Sequence, residues 1–163
     1  MTDDDFMKEA LRLAERAFTL DEIPVGAVIV RNGEIIASGC NRNREMNDPT
    51  MHAEIIAIKK ACETVANERL TGCDLYVTKE PCAMCAGAIV HSRLRRVIIG
   101  AEDIKYGACG SVLEVCGNPL LNHRPEIIFG IKKDESAALL KKFFRMKRTA
   151  PESGVTPLSE NPR

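Results

Sequence analysis

The sequence predicts an α/β domain of three layers, α/β/α, with a central mixed sheet of five strands and helices on both faces. Three observations predict it. A helix-periodic opening leads into a β-rich hairpin, three further β-rich runs (DLYVT, RRVIIG and EIIFGI) follow it, and the segments before and between them include stretches with helical spacing of apolar residues. Strands that alternate with helices in this way form a sheet covered on both sides. At 163 residues the chain suits one domain, long enough to bury roughly 70% of the surface its unfolded form exposes.

In order, Phe6, Ala10, Leu13, Ala14 and Ala17 recur at helical spacing. PVGAVIVRNGEIIASG then reads as two strands joined at Asn32-Gly33, a favoured hairpin turn. NRNREMNDPT is a polar loop, with Thr50 a candidate cap for a helix whose Met51, Ile55, Ile58, Cys62 and Val65 form an apolar stripe. His52 and Glu54 fall in the first turn of that helix. DLYVT is a buried strand, PCAMCAGAIVHSR a helix entered at Pro81, RRVIIG and EIIFGI strands, and a final helix runs from about Asp134 to Arg148. The domain therefore spans residues 1–148. TAPESGVTPLSENPR is rich in Pro, Ser and Gly, so residues 149–163 read as a disordered tail. The chain carries no internal repeat and no second domain.

Composition excludes several classes. Lys plus Arg and Asp plus Glu number 23 each, so net charge predicts no polyanionic partner, and any nucleic-acid surface must be local. No run of about 20 apolar residues is present and the opening segment is acidic, which reads as neither a membrane span nor a signal peptide and places the protein in the cytoplasm. Seven cysteines form an odd set without a regular framework; kept reduced, they favour metal binding or catalysis over disulfides.

Cys82 and Cys85 stand three apart at a helix start, so both thiols point the same way, and the positive end of the helix favours their thiolates. They make half a tetrahedral site. No second Cys-x-x-Cys and no paired histidines supply the rest, and of the three histidines His52, two residues before Glu54, is the economical third ligand. Three protein ligands leave a fourth position for water, whose pKa zinc lowers to about 7, and Glu54 is the natural proton shuttle. Taken singly, each residue has another reading: a redox pair for the cysteines, a core or surface histidine for His52, and a solvated helix-start acid for Glu54.

HAE followed by PCAMC is also the signature of zinc base deaminases, and NDPTMHAEI, LYVTKEPCAMCAGAIVHSR, GAEDIKYGACGS, LNHRPEI and FFRMKR resemble the bacterial tRNA-specific adenosine deaminases of the cytidine and deoxycytidylate deaminase superfamily over residues 6 to 148. The resemblance implies a cytidine-deaminase-like fold, one zinc per subunit on His52, Cys82 and Cys85, catalysis by Glu54, and conversion of adenosine to inosine at the wobble position, 34, of an arginine tRNA. It implies contacts to the base from Asn41 and the backbone of Ala53, and to the RNA from Asp103, Lys105, Asn122, His123, Phe144 and Arg145. It also implies a homodimer whose sites are each bordered by the other subunit. Read alone, Asn41 is equally a turn residue, His123 an exposed histidine, and Asp103 a loop or cap acid. KKFFRMKR interleaves cations with two phenylalanines, one placed to pack inward and the other outward. Arg93, Arg95 and Arg96 in HSRLRR read first as complements to a helix end. The chain departs from the family pattern at Lys79, where leucine is familiar, and at Tyr106, where glycine or threonine is; it also lacks a lysine-rich tail. A free-base or nucleotide deaminase of the guanine or cytosine type uses the same zinc set, and the basic aromatic terminal helix is the feature that discriminates against it. A zinc-binding partner subunit without catalysis commonly loses the shuttle glutamate, which is present here.

Overall fold

The computed structural model describes residues 1–150. The element order is α1 (Asp3–Thr19), β1 (Gly26–Arg31), β2 (Glu34–Cys40), α2 (Asn43–Met46), α3 (Ala53–Val65), β3 (Asp74–Lys79), α4 (Ala83–His91), β4 (Arg96–Ala101), β5 (Glu126–Phe129) and α5 (Lys133–Thr149). Thr149 thus closes the last helix, and the rest of the tail expected over 149–163 lies outside the described residues, save Ala150, which caps that helix.

The five strands form one mixed sheet in the order β2-β1-β3-β4-β5. Its antiparallel part includes the hairpin, closed at Asn32 and Gly33, both at positive φ (51° and 78°) as a primed turn requires. β1 is antiparallel to both β2 and β3, whereas β3, β4 and β5 run parallel. The parallel strands are reached by crossovers, and α4 supplies the one between β3 and β4.

Side-chain alternation divides the core. Leu75, Val77, Val97, Ile99, Ala27 and Ile29 pack with Ala57, Ala61, Ala86 and Ile89 of α3 and α4. Val28, Val30, Tyr76 and Ile98 point the other way, onto Phe6, Met7, Ala10, Leu13 and Ala17 of α1. α1 starts with a capping box in which the Thr2 hydroxyl accepts from the Asp5 N–H while the Asp5 carboxylate accepts from the Thr2 N–H. An acid cluster ties this face together: Asp74, almost wholly buried, accepts hydrogen bonds from Arg95 and Arg96, and the Tyr76 hydroxyl donates to Asp3 at 2.6 Å. Arg95 and Arg96 are thereby structural, but as partners of the Asp74 carboxylate rather than as the complements to a helix end expected from the sequence.

Two expectations are corrected. Thr50 does not cap α3: its N–H and hydroxyl both bond the Asp48 carboxylate, a local turn that competes with capping, and the cap position is His52. The buried face of α3 is also rotated from the expected stripe, to Ala53, Glu54, Ile56, Ala57, Ile58 and Ala61, with Met51, Ile55, Cys62 and Val65 only half-buried. Small alanines win because the helix lies hard against the sheet, where a Cβ on Gly39 would sit 2.7 Å from the Ala53 carbonyl oxygen. The polar loop after β2 contains one unexpected helical turn, α2.

Register places the important segments together. Gly26 of β1 lies opposite Cys40 of β2, Ala27 opposite Val77 of β3, and Lys79 opposite Ala101 of β4. The end of β2, the start of β1 and the C-terminal ends of β3 and β4 therefore share one end of the sheet, and the segments 41–54, 80–85 and 102–111 emerge there.

Candidate metal centre and active site

Two helix N-termini meet at this end. His52 caps α3 and Cys82 caps α4, each in extended backbone (φ −76°, ψ 153° and φ −73°, ψ 177°), and neither helix has a side-chain cap. Cys85 is the third residue of α4, one turn from Cys82. The imidazole Nδ1 of His52 lies 3.6 Å from the Cys82 Sγ and 3.4 Å from the Cys85 Sγ, and all three donor atoms lie within 4.8 Å of one another. Bonds of about 2.3 Å to sulfur and 2.05 Å to nitrogen, meeting at a tetrahedral angle, set a sulfur-to-nitrogen separation of about 3.6 Å. The donor set therefore fits zinc in identity and in spacing.

Protons are unevenly held among these donors. A hydrogen bond from Cys85, aided against burial by His52, brings the Cys82 pKa down to about 3, so this sulfur is a thiolate at neutral pH. Cys85 is pushed up by that same bond, by burial and by the Glu54 charge. His52 is raised, chiefly by its hydrogen bond with Cys82.

Glu54, the second residue of α3, is 4% exposed. Burial raises its pKa, and the charge of Cys82 adds to the effect, whereas its backbone N–H and His52 oppose it. A buried carboxyl with a raised pKa beside a metal site is equipped to accept and return a proton.

Asn41 follows β2 and is buried, with its Oδ1 accepting the Ala53 N–H at 2.8 Å. That bond fixes the amide, so Nδ2 is the group left to donate outward. It also commits the Ala53 N–H to Asn41. His52, Ala53, Glu54, Asn41, Cys82 and Cys85 thus form one cluster.

The loop after β4 borders it and is held by Glu80, a residue that sequence reasoning left without a role. Its carboxylate, 2% exposed, accepts the N–H groups of Asp103 (2.9 Å), Cys109 (3.1 Å) and Ser111 (3.1 Å) and the Ser111 hydroxyl. A Cβ on Gly107 would stand 2.4 Å from that carboxylate, so only glycine permits the approach. The available signal was an acid set directly between a buried strand and Pro-Cys.

Asp103 turns its Oδ1 to the N–H groups of Lys105 (3.0 Å) and Tyr106 (3.1 Å) and its Oδ2 to the Lys79 ammonium at 2.9 Å. Burial pushes this carboxyl upward, but the hydrogen bonds from Lys79 and the backbone outweigh it and hold the pKa below the usual carboxylate value. Lys105 and Tyr106 are exposed.

The remaining candidates lie farther out. His123 donates from Nε2 to the Leu94 carbonyl at 2.6 Å, and Arg93 donates to the Asn122 carbonyl at 2.8 Å. Both anchors follow the C-terminus of α4, about 13 Å along the helix from Cys82. On α5, Phe143 is buried edge-on to Phe18, whereas Phe144 is 40% exposed and Arg145 is exposed without an ion-pair partner among the described residues. Lys147 pairs with Asp21, between α1 and β1, so the C-terminal end of α5 reaches the site end of the sheet.

Comparison with known proteins agrees with this geometry. Residues 1–101 match the cytidine and deoxycytidylate deaminase zinc-binding region. The chain is 50% identical over 143 residues to the tRNA-specific adenosine deaminase of Agrobacterium fabrum, covering 88% of this chain and 94% of that one. The chain belongs to the tRNA-specific adenosine deaminases. A solved structure described as a tRNA:A34 deaminase that edits A to I at the wobble position of transfer RNA superposes with a TM-score of 0.81 at 48% identity, over 83% of this chain and 99% of that one. A guanine deaminase from Bacillus subtilis shares 32% identity with a TM-score of 0.61, over 94% of this chain and 99% of that one. As a member of this family the deaminase is a zinc-dependent hydrolytic enzyme, with His52, Cys82 and Cys85 as the donors that fit the ion.

Proposed function

We propose that this deaminase converts adenosine to inosine at position 34 of a tRNA anticodon, that of an arginine tRNA, with release of ammonia. The observation that carries the reading is the open set of three donors on two helix N-termini, with the buried Glu54 carboxyl on the turn beside it. Bound at these donors, zinc supplies water activated for attack near neutral pH. Glu54 takes the proton of the attacking water and passes it to N1 of the purine, then takes the second proton from the hydroxyl added at C6 and delivers it to the amino group, which leaves as ammonia as the C6 carbonyl forms. Asn41, locked by the Ala53 N–H, donates from Nδ2 to the ring and orients it. An anticodon loop is already single-stranded, so the unstacking cost of a few kcal/mol for a duplex base is largely avoided.

RNA contacts are assigned to Asp103 and Lys105 on the loop after β4, to Asn122 and His123 beyond α4, and to Phe144 and Arg145 on α5. The inward packing of Phe143 with Phe144 exposed supports stacking on α5. The protein works as a homodimer; Ile104, Leu113 and Leu120, all at least half exposed, give the rim an apolar surface suited to a second copy. Among the described residues no helix is long and apolar enough to cross a membrane, and the proposed work on tRNA places the protein in the cytoplasm.

The test is incubation of the zinc-loaded protein with stem-loops bearing a wobble adenosine, from arginine and other tRNAs, beside free adenosine, adenine, guanine and cytosine. Inosine confined to the arginine stem-loop is expected. Conversion of free guanine or cytosine at a higher kcat/KM establishes the free-base reading instead.

A further inference from the structure

Lys79 ends β3 on the face that carries Leu75 and Val77, the face of α3 and α4, and lies opposite Ala101 in the parallel ladder. Its ammonium is therefore presented at the end of the sheet where the metal donors sit, close enough for its charge to bear on both His52 and Glu54. Its one ion-pair partner among the described residues is Asp103.

The arrangement of that pair is uneven. Asp103 is 8% exposed, and three of the roughly four acceptor positions of its carboxylate are filled, two by the Lys105 and Tyr106 N–H groups and one by Lys79. One acceptor position is left for the RNA contact assigned to it. An ammonium has three donors, only one of which is engaged here, and a quarter of the Lys79 side chain is exposed. At this corner of the site most of the free hydrogen-bonding capacity belongs to the cation. The Asp103 anchor is in turn fixed by the Glu80 grip on the Asp103 N–H, so the ammonium stands on a braced support.

We propose that Lys79 is a further substrate-positioning residue, whose two unengaged N–H groups hold an anionic backbone oxygen of the RNA next to the target nucleotide while Asp103 fixes the ammonium in place. The inference rests on the proposed reaction at a tRNA loop. It assigns recognition to a residue outside the metal and proton-transfer set, and it gives the electrically neutral chain one of the local positive positions that a polyanion needs.

The experiment uses the zinc-loaded full chain and the anticodon stem-loop, with KM and kcat measured across a KCl series for the wild type, Lys79→Met and Lys79→Arg. One phosphate contact on a single strand contributes about 0.7 to the slope of log affinity against log salt. Lys79→Met is expected to raise KM about 5- to 30-fold near 0.1 M salt, to flatten the slope by about 0.7, and to change kcat about twofold at most. Lys79→Arg, which retains a cation there, is expected to keep the slope, and both variants are expected to keep the zinc content and melting temperature of the wild type. An unchanged KM and slope in Lys79→Met, with the wild type active, overturns the assignment and leaves Lys79 as a partner of Asp103 only. The assignment falls equally if Lys79→Arg flattens the slope as far as Lys79→Met, because the effect then does not follow the cation. Absence of inosine formation by the wild type overturns the proposed function, and this inference with it.

Discussion

Replacing Glu54 by glutamine separates a catalytic carboxyl from a structural one, because the two roles predict opposite changes. As an acid in the first turn of α3, Glu54 adds about 0.3–1 kcal/mol through the helix dipole, and a loss of that size moves a rate about fivefold at most. Its surroundings argue against even that much stabilisation. The side chain is 4% exposed, and burial raises its pKa, which means that the site disfavours the charge. An uncharged amide of the same shape costs less to bury there, so thermal stability is expected to hold or rise. As the proton carrier, however, the group is lost entirely, and general acid–base losses of ~10²- to 10⁴-fold correspond to about 2.7–5.4 kcal/mol of barrier. The assay is single-turnover inosine formation on the stem-loop, with zinc content, stem-loop affinity and melting temperature measured on the same preparation. The expected result is full zinc content, retained binding, an equal or higher melting temperature and almost no inosine. Near wild-type turnover would refute the role given to Glu54, and loss of zinc would show that the carboxyl supports the donors instead.

Three further outcomes follow from the geometry. Joint Cys82→Ala and Cys85→Ala substitution, or His52→Ala alone, is expected to abolish the single zinc per chain measured by elemental analysis; chelation should lower stability by about 4 kcal/mol for an ion held at a thousand times its Kd, and full zinc in the double variant removes the assignment. Asp74→Asn removes the carboxylate shared by Arg95 and Arg96, leaving Arg96 its longer contact with Asp3, and is expected to cost about 2 kcal/mol in urea unfolding at pH 7. Burial pushes the Asp74 carboxyl upward but its arginines outweigh that and hold its folded pKa below the unfolded one, so the contribution is present above about pH 4 and lost as pH falls through the folded value; the variant should therefore lose less stability than the wild type on acidification to pH 3. Phe144→Ala is expected to weaken stem-loop binding by ~1 to 3 kcal/mol with unchanged folding, whereas Phe143→Ala should cost ~3 kcal/mol of stability or more, and the reverse pattern would exchange their roles.

Much of this was legible in the sequence, for identifiable reasons. Pattern located α1 because it buries a regular apolar face, the Asn32-Gly33 hairpin because it turns on a residue pair with a strong backbone preference, and β3 to β5 because they are short β-rich runs, β3 and β4 buried on both faces and β5 half-exposed at the sheet edge. The zinc donors were readable because metal chemistry tolerates few residue types at few spacings. The cap of α3 was misplaced to Thr50 because a hydroxyl two residues after an aspartate can serve a local turn as readily as a helix, and only the folded chain shows the Asp48 carboxylate taking it. The face of α3 was misjudged because large residues draw attention, while Gly39 admits a helix so close that alanines do the packing. Glu80 gives no periodic signal at all. Its meaning depends on four groups 23 to 31 residues away, and no local pattern records a contact of that range.

The loop that Glu80 braces and the donors that precede it are parts of one arrangement. α3 and α4 both begin without side-chain caps, because the cap positions are occupied by His52 and Cys82. A Ser, Thr, Asp or Asn at such a position typically adds about 1 kcal/mol, so each helix forgoes that stabilisation to present a metal donor at its positive end. There the uncapped N–H groups favour the thiolate of Cys82. The strand that delivers Cys82 also places Lys79 toward the site and Glu80 against the next loop, so three consecutive tasks of substrate contact, loop support and metal binding are set by the last turn of one strand into one helix. The pairing of Lys79 with Ala101 then fixes Asp103 at the same level. Register in the parallel part of the sheet, more than any single contact, decides whether the loop and the metal centre face the same substrate.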